Sequence, residues 1–147
     1  MKEGEFVTGK EYLCAVYDKD KEITAQKEYI EALRATLESI SVKLGDERVQ
    51  SSFDPDKFGK VFAQIDEEQR KLEAMQTDFL MYTVNVIGAI RKIPTEKHRV
   101  LLHERYINYK SFKVIASLMN YSYDYALELH KKAIEDFESI LSSEIPC

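Results

Sequence analysis

From Tyr12 onward a large side chain returns at alternating intervals of four and three, through Val16, Ile23, Ile30, Leu33, Leu37, Ile40 and Leu44, with Lys19 and Gln26 at two polar places. That alternation keeps one side of an α-helix turned toward the same neighbour, so it predicts one long helix with a coiled-coil seam. The rhythm returns from Phe58 through Phe62, Ile65, Gln69, Leu72, Gln76, Phe79, Thr83, Val86, Ile90 and Ile93. A β-strand cannot use it, because strand side chains alternate with period two. Two such helices joined by a loop too short for a crossover run antiparallel. The expected fold is therefore all-α and opens with a long antiparallel coiled-coil hairpin over residues 8–93.

The punctuation fits this reading. Thr8 and Glu11 have the spacing of a capping box, in which hydroxyl and carboxylate satisfy free amides at a helix start. Gly45 suits the left-handed conformation just past a helix end. Residues 45–54, GDERVQSSFD, carry no period and read as the loop, and Asp54 with Pro55 forms a cap and first-turn pair. Setting Leu44 level with Phe58 brings Gln26 near Gln76 and Lys19 near Thr83, polar pairs that weaken a seam and either help fix its register or simply mark where it is wet. Pro94 closes the second helix. Thr95 is then expected to cap a shorter helix, EKHRVLLHERYI, with Leu101, Leu102 and Tyr106 on its apolar side, opening a second unit over residues 95–141.

Composition agrees with a folded helical chain: of 147 residues, 44% are hydrophobic and 32% charged, with only five glycines and three prolines. The formal net charge of −5 is partitioned rather than spread. Residues 1–90 hold 12 Lys/Arg against 18 Asp/Glu, residues 91–132 hold nine against four, and residues 133–147 hold four acids and no base. All three histidines, His98, His103 and His130, lie in the basic segment. With no run of about 18 apolar residues and no secretion-signal order at the start, the chain is expected to be cytoplasmic. Cys14 and Cys147 are expected to be free thiols.

The basic segment contains FKVIASLMNYSYDYALELHKKA, residues 112–133. Counted from Phe112, the inward places of a helix-turn-helix fall on Ile115, Met119, Tyr121, Ala126 and Leu129, whose side chains would fill the angle between two crossing helices. The place where the helices approach most closely is Ala116. The turn place, usually glycine, is Asn120, the residue next most tolerant of positive φ. Ser122 is placed to cap a second helix from Tyr123 to about Leu141. The expected C-terminal unit is thus a three-helix helix-turn-helix unit.

The stretch KHRVLLHERYINYKSFKVIASLMNYSYDYALELHKKAIEDFESIL resembles the C-terminal DNA-binding region of sigma factors. More closely, the chain resembles the RinA/ArpU-type transcriptional regulators of phages and prophages in Gram-positive bacteria. The letters that carry the resemblance are Lys10, Glu11, Tyr12 and Leu13 near the start, then Leu101, Leu102, Arg105, Tyr106, Ser111, Ile115, Ala116, Met119, Tyr121, Ser122, Leu129, His130 and Ala133. The resemblance implies a transcription regulator that binds double-stranded promoter DNA, with the hairpin serving homodimerisation or contact with RNA polymerase.

One departure matters for chemistry. The outward places of the second helix often carry arginines in such units, and here they are Tyr123, Asp124, Leu127 and Glu128. Tyrosine can donate to phosphate, acids can accept from cytosine, and leucine can meet a thymine methyl, but phosphate affinity rests on Lys and Arg. The candidate DNA-binding set is therefore Lys110, Ser111, Lys113, Ser122, Tyr123, Asp124, Leu127, Glu128 and Lys131, with Arg91, Lys92, Lys97 and Arg99 as flanking cations. A competing expectation is a protein-interaction module whose helix-turn-helix no longer binds DNA, as the acids at Asp124 and Glu128 would allow.

Other features read as structural. Tyr109, Tyr123 and Tyr125 are the tyrosines expected to be open to stacking. The three histidines lack zinc-site spacings and are expected to be solvated or capping. Asp66, Glu67, Glu68 and Glu73 fall off the expected seam and read as a wet helix face. No phosphate loop, nucleophile elbow or dinucleotide turn is present, so neither a catalytic centre nor a cofactor is expected.

Overall fold

The computed structural model describes residues 8–44 and 55–144. Their elements are all helical: α1 (Gly9–Leu44), α2 (Pro55–Arg91), α3 (Glu96–Leu102), a π-helical turn (His103–Ile107), α4 (Phe112–Met119) and α5 (Tyr123–Glu144). The expected loop at 45–54, with Gly45 and the Asp54 cap, lies outside the described residues, as does Cys147. No described helix is long and apolar enough to cross a membrane.

The capping box at the start of α1 is formed. The Glu11 amide donates to Thr8 Oγ1 at 3.1 Å and the Thr8 amide donates to Glu11 Oε1 at 3.0 Å. Those hydrogen bonds hold the Glu11 carboxyl below the usual carboxylate range, because they favour its charged form. Gly9 beside it is buried, and its amide donates to Glu138 Oε2 of α5 at 2.9 Å. A Cβ on Gly9 would overlap the Glu138 side chain, so a larger residue there would displace the carboxylate that accepts from the Gly9 amide.

The chain divides into two compact units, Asp20–Asp78 on one side and Met1–Lys19 with Phe79–Cys147 on the other. In Asp20–Asp78 the α1 seam follows the expected places, with Ile23 and Ile30 buried and Gln26, Leu33, Leu37 and Ile40 half-buried. The α2 seam keeps the expected sevenfold places, Phe58, Ile65 and Leu72, but the residues between them are shifted by one. Val61, Glu68 and Met75 turn inward, whereas Phe62 and Gln76 are exposed. Residues three and four apart lie on nearly the same side of a helix, so a small change in how two helices cross selects one or the other.

That shift corrects both the expected register and the expected wet face. Gln26 does not meet Gln76; its Nε2 donates to the Glu68 carbonyl at 2.9 Å and to Glu68 Oε1 at 2.8 Å. Gln64 Nε2 and Lys71 Nζ donate to the other carboxylate oxygen at 2.9 and 3.2 Å. Glu68 is only 5% exposed, while Asp66, Glu67 and Glu73 do face water. The Gln26 amide, then Lys71 and Gln64, hold its carboxyl below the usual range against the opposing effect of burial. Three donors to the carboxylate make this acid tolerable in a seam.

In the other unit a single core takes Leu13 and Val16 from α1, Val86, Ala89 and Ile90 from α2, and Ile93 just beyond it. Leu101 and Leu102 of α3, Tyr106, Ile115 of α4, and Leu129, Ala133 and Phe137 of α5 complete it. The core therefore runs across Pro94, where the sequence sets a boundary. The hairpin's two ends are apolar on the side that the C-terminal helices also need, and one core buries both. Thr95 has the extended backbone of a cap but its hydroxyl makes no capping bond; its carbonyl instead accepts from the His98 and Arg99 amides. Arg99 turns back to donate to the carbonyls of Ile93 and Pro94, closing the end of α2.

Lys19 lies with its Nζ 4.9 Å from the Tyr82 ring centre, next to Thr83. The Thr83 hydroxyl is buried with no hydrogen-bond partner. An unpaired buried hydroxyl is destabilising, and replacing it with a methyl group removes the penalty. Thr83→Val is expected to raise stability by about 1 kcal/mol, measured as a higher urea midpoint at unchanged slope.

Candidate nucleic-acid interface

The α4–turn–α5 segment is a helix-turn-helix built as its residues require. Ser111 caps α4, its Oγ accepting from the Val114 amide at 3.3 Å. Asn120 ends α4 in the left-handed region, φ 61 and ψ 42. The Tyr121 amide reaches back to the Ala116 carbonyl at 2.8 Å and the Asn120 amide to the Ser117 carbonyl at 3.3 Å, the pair of bonds of a Schellman ending. Ser122 caps α5, accepting from the Tyr125 amide at 3.1 Å. Ile115, Ala116, Ala126 and Leu129 are buried, and Met119 and Tyr121 are half-buried.

The outward face of α5 is open. Tyr123, Asp124, Glu128 and Lys131 are exposed, and Leu127 is half-exposed. These residues recur one turn apart on one side of the helix. Ser122 is exposed with its hydroxyl engaged in the cap. At the start of α4, Ser111 and Lys113 are exposed, but Lys110 is half-buried and its Nζ lies 2.9 Å from Glu104 Oε1. Asn108 and then Lys110 hold the Glu104 carboxyl below its usual value. A phosphate at Lys110 would have to compete with that carboxylate.

The flanking cations do different things. Lys97 Nζ donates to the Tyr125 hydroxyl at 3.0 Å, carrying positive charge from α3 to the first turns of α5. That contact holds the Lys97 ammonium above the usual lysine range. Arg91 and Lys92 are exposed, whereas Arg99 is occupied by the carbonyls that end α2. Tyr109, Tyr123 and Tyr125 are open, at 38%, 46% and 37% exposure, and Tyr17 of α1 in the same unit is open too, at 47%. Tyr125 also meets Tyr121 edge-on, with ring centres 4.7 Å apart.

Beneath this face lies a polar cluster that spacing alone does not reveal. The Tyr106 hydroxyl and His130 Nε2 share a hydrogen bond at 2.6 Å, and the His130 ring packs edge-on against Phe112 with centres 4.8 Å apart. Arg105 lies with its guanidinium carbon 4.5 Å from the Phe112 ring centre and donates to the Lys110 carbonyl at 3.1 Å. Burial pushes His130 down to about 4 and Tyr106 up to about 12, so the imidazole is neutral and the phenol keeps its proton. His130 is therefore a packing and hydrogen-bonding residue rather than a solvated one. His98 likewise is buried, paired through Nδ1 with Asp136 of α5. In the sequence His130 stands beside core Leu129 and among the residues that carry the resemblance.

Cys14, Tyr17, Asp18, Arg105, Tyr106 and Tyr109 line a half-open pocket of about 310 Å³. Tyr109 adopts a positive φ of 59 at its rim. Among the described residues no three His, Cys, Asp or Glu side chains are grouped to hold a metal ion. Comparison with protein-family models, curated proteins and solved structures finds no match to this chain.

Ala116 and His130 yield two expectations. Ala116→Leu forces α4 and α5 apart and should destabilise by roughly 1–3 kcal/mol, read by urea denaturation. His130 titrates near 6.5 when unfolded and near 4 when folded. Between those values the unfolded chain holds more protons, so stability should decline as pH falls from 6.5 toward 4. His130→Gln should flatten that decline in a series of denaturation curves; an unchanged slope would assign it to another group.

Proposed function

We propose that this chain is a phage or prophage transcription regulator that binds duplex promoter DNA through its helix-turn-helix. The observation that carries the reading is the open face of α5, with Tyr123, Asp124, Glu128 and Lys131 turned outward from a tight α4–α5 corner. A helix presented this way fits the major groove, and side chains in its first turns reach base edges. Asp124 and Glu128 would accept from cytosine amino groups, Leu127 would touch a thymine methyl, and Tyr123 would donate to phosphate. Lys131, Lys113 and the Lys97–Tyr125 pair supply the positive charge that holds the duplex. The resemblance to RinA/ArpU-type regulators supports the same reading, as does the concentration of basic residues in 91–132. In this reading the protein works in the cytoplasm, needs no cofactor and catalyses no reaction.

The shortage of arginines on α5 implies modest affinity for one half-site. Two linked copies, or a contact with RNA polymerase through the hairpin, would raise effective concentration without adding a contact to DNA. The competing reading is a protein-interaction module, favoured by the two acids on the outward face of α5.

Salt separates the two. Binding to the promoter region beside the protein's own gene should weaken steeply with salt, at about one logarithmic unit of slope per phosphate contact. No retention of duplex at low salt would sink the DNA reading. Lys131→Glu should abolish binding with helical circular dichroism unchanged; an equal loss of helix would make Lys131 structural.

A further inference from the structure

The pocket between α1 and the π-helical turn takes no part in the outward face of α5. Both of its walls belong to one compact unit: Cys14, Tyr17 and Asp18 come from α1, and Arg105, Tyr106 and Tyr109 come from the turn and the residues just after it. At about 310 Å³ it lies at the small end of the range that ligand sites occupy. The turn that builds it is irregular. The Asn108 amide bonds back five residues to the His103 carbonyl at 3.1 Å, and Tyr109 holds a φ of 59 without being glycine. Both kinds of departure from regular backbone gather at functional sites.

Two opposite charges line this pocket and do not pair with each other. Arg105 is anchored by its bond to the Lys110 carbonyl at 3.1 Å and by the Phe112 ring, and no carboxylate among the described residues pairs with it. Asp18, on the α1 wall, has no hydrogen bond or ion pair among the described residues. Between them Tyr106 is buried, while Tyr17 and Tyr109 stand open with ring centres 5.2 Å apart. A simple anion would suit Arg105 and be repelled by Asp18, and a simple cation would meet the reverse. A zwitterion satisfies both. The tyrosine rings favour an aromatic body, and their faces also attract an ammonium group.

We propose that this pocket binds a free aromatic α-amino acid, with its carboxylate on Arg105, its ammonium on Asp18 and its ring against Tyr17 and Tyr109. The pocket is coupled to both helices of the helix-turn-helix. Tyr106 shares its hydrogen bond with His130 of α5, and Arg105 holds the Lys110 carbonyl just ahead of α4. A ligand seated there bears on the corner that presents α5. Its use as an effector of DNA binding rests on the regulator reading, whereas the site itself does not.

The test is titration of the full-length chain with L-tryptophan, whose fluorescence is unobscured because the chain contains no tryptophan. Binding should saturate. Tryptamine, which lacks the carboxylate, should bind about tenfold more weakly, and indole-3-propionate, which lacks the ammonium, about threefold more weakly because Asp18 is exposed. Asp18→Asn should remove the advantage of tryptophan over indole-3-propionate. Tyr109→Gly suits a positive φ, so it should keep its helical circular dichroism and bind tryptophan roughly threefold or more weakly. No saturation by millimolar tryptophan, phenylalanine or tyrosine overturns the assignment. Equal affinity for indole-3-propionate, or binding indifferent to both Asp18→Asn and Tyr109→Gly, does so too. Duplex binding is read separately. A chain that binds tryptophan through Asp18 and retains no DNA keeps the site and ends the regulator reading, and a salt-sensitive duplex binder that takes no aromatic amino acid does the reverse.

Discussion

A single methyl group sets the corner on which the outward face of α5 depends. Ala116 is 4% exposed at the crossing of α4 and α5, and its carbonyl takes the Tyr121 amide. A larger side chain there would push the helices apart and break the Asn120 turn that brings the chain back. With the corner closed, Ala126, Leu129, Ala133 and Phe137 all turn inward. Tyr123, Asp124, Glu128 and Lys131 are consequently left outside, since a helix has only one buried stripe.

The corner does not stand on three helices alone. Leu13, Val16, Val86, Ala89, Ile90 and Ile93 contribute to the same core as Leu129 and Phe137, and Gly9 donates to Glu138. Short helices such as the eight-residue α4 are marginal by themselves and gain their stability from packing. The ends of the long helices supply that packing. Whatever α5 contacts is therefore carried on a core that includes α1 and α2.

Much of the positive charge in this unit is already engaged. Lys110 faces Glu104, Lys97 meets Tyr125, Arg99 holds two carbonyls, and Arg105 lies over Phe112 while donating to the Lys110 carbonyl. These groups orient the turn and the helix starts. Lys113 and Lys131 project from the surface, so a duplex would meet few uncommitted cations near α5. In the regulator reading proposed above, such a surface gains more from acting in pairs than from improving any one contact.

Residues close together in sequence were sufficient to determine the Thr8–Glu11 capping box, the Asn120 turn, the Ser122 cap and the seam of α1. Each follows from interactions within a turn or two of backbone, which residue type and spacing specify directly. Only the tertiary structure decided that Glu68 rather than Gln69 faces inward, that Gln26 meets it, and that His98 and His130 bond to Asp136 and Tyr106. Those partners lie 42, 38 and 24 residues apart. Residues three and four apart share a helix side, so periodicity leaves their choice open until a neighbouring helix supplies a donor, an acceptor or a void.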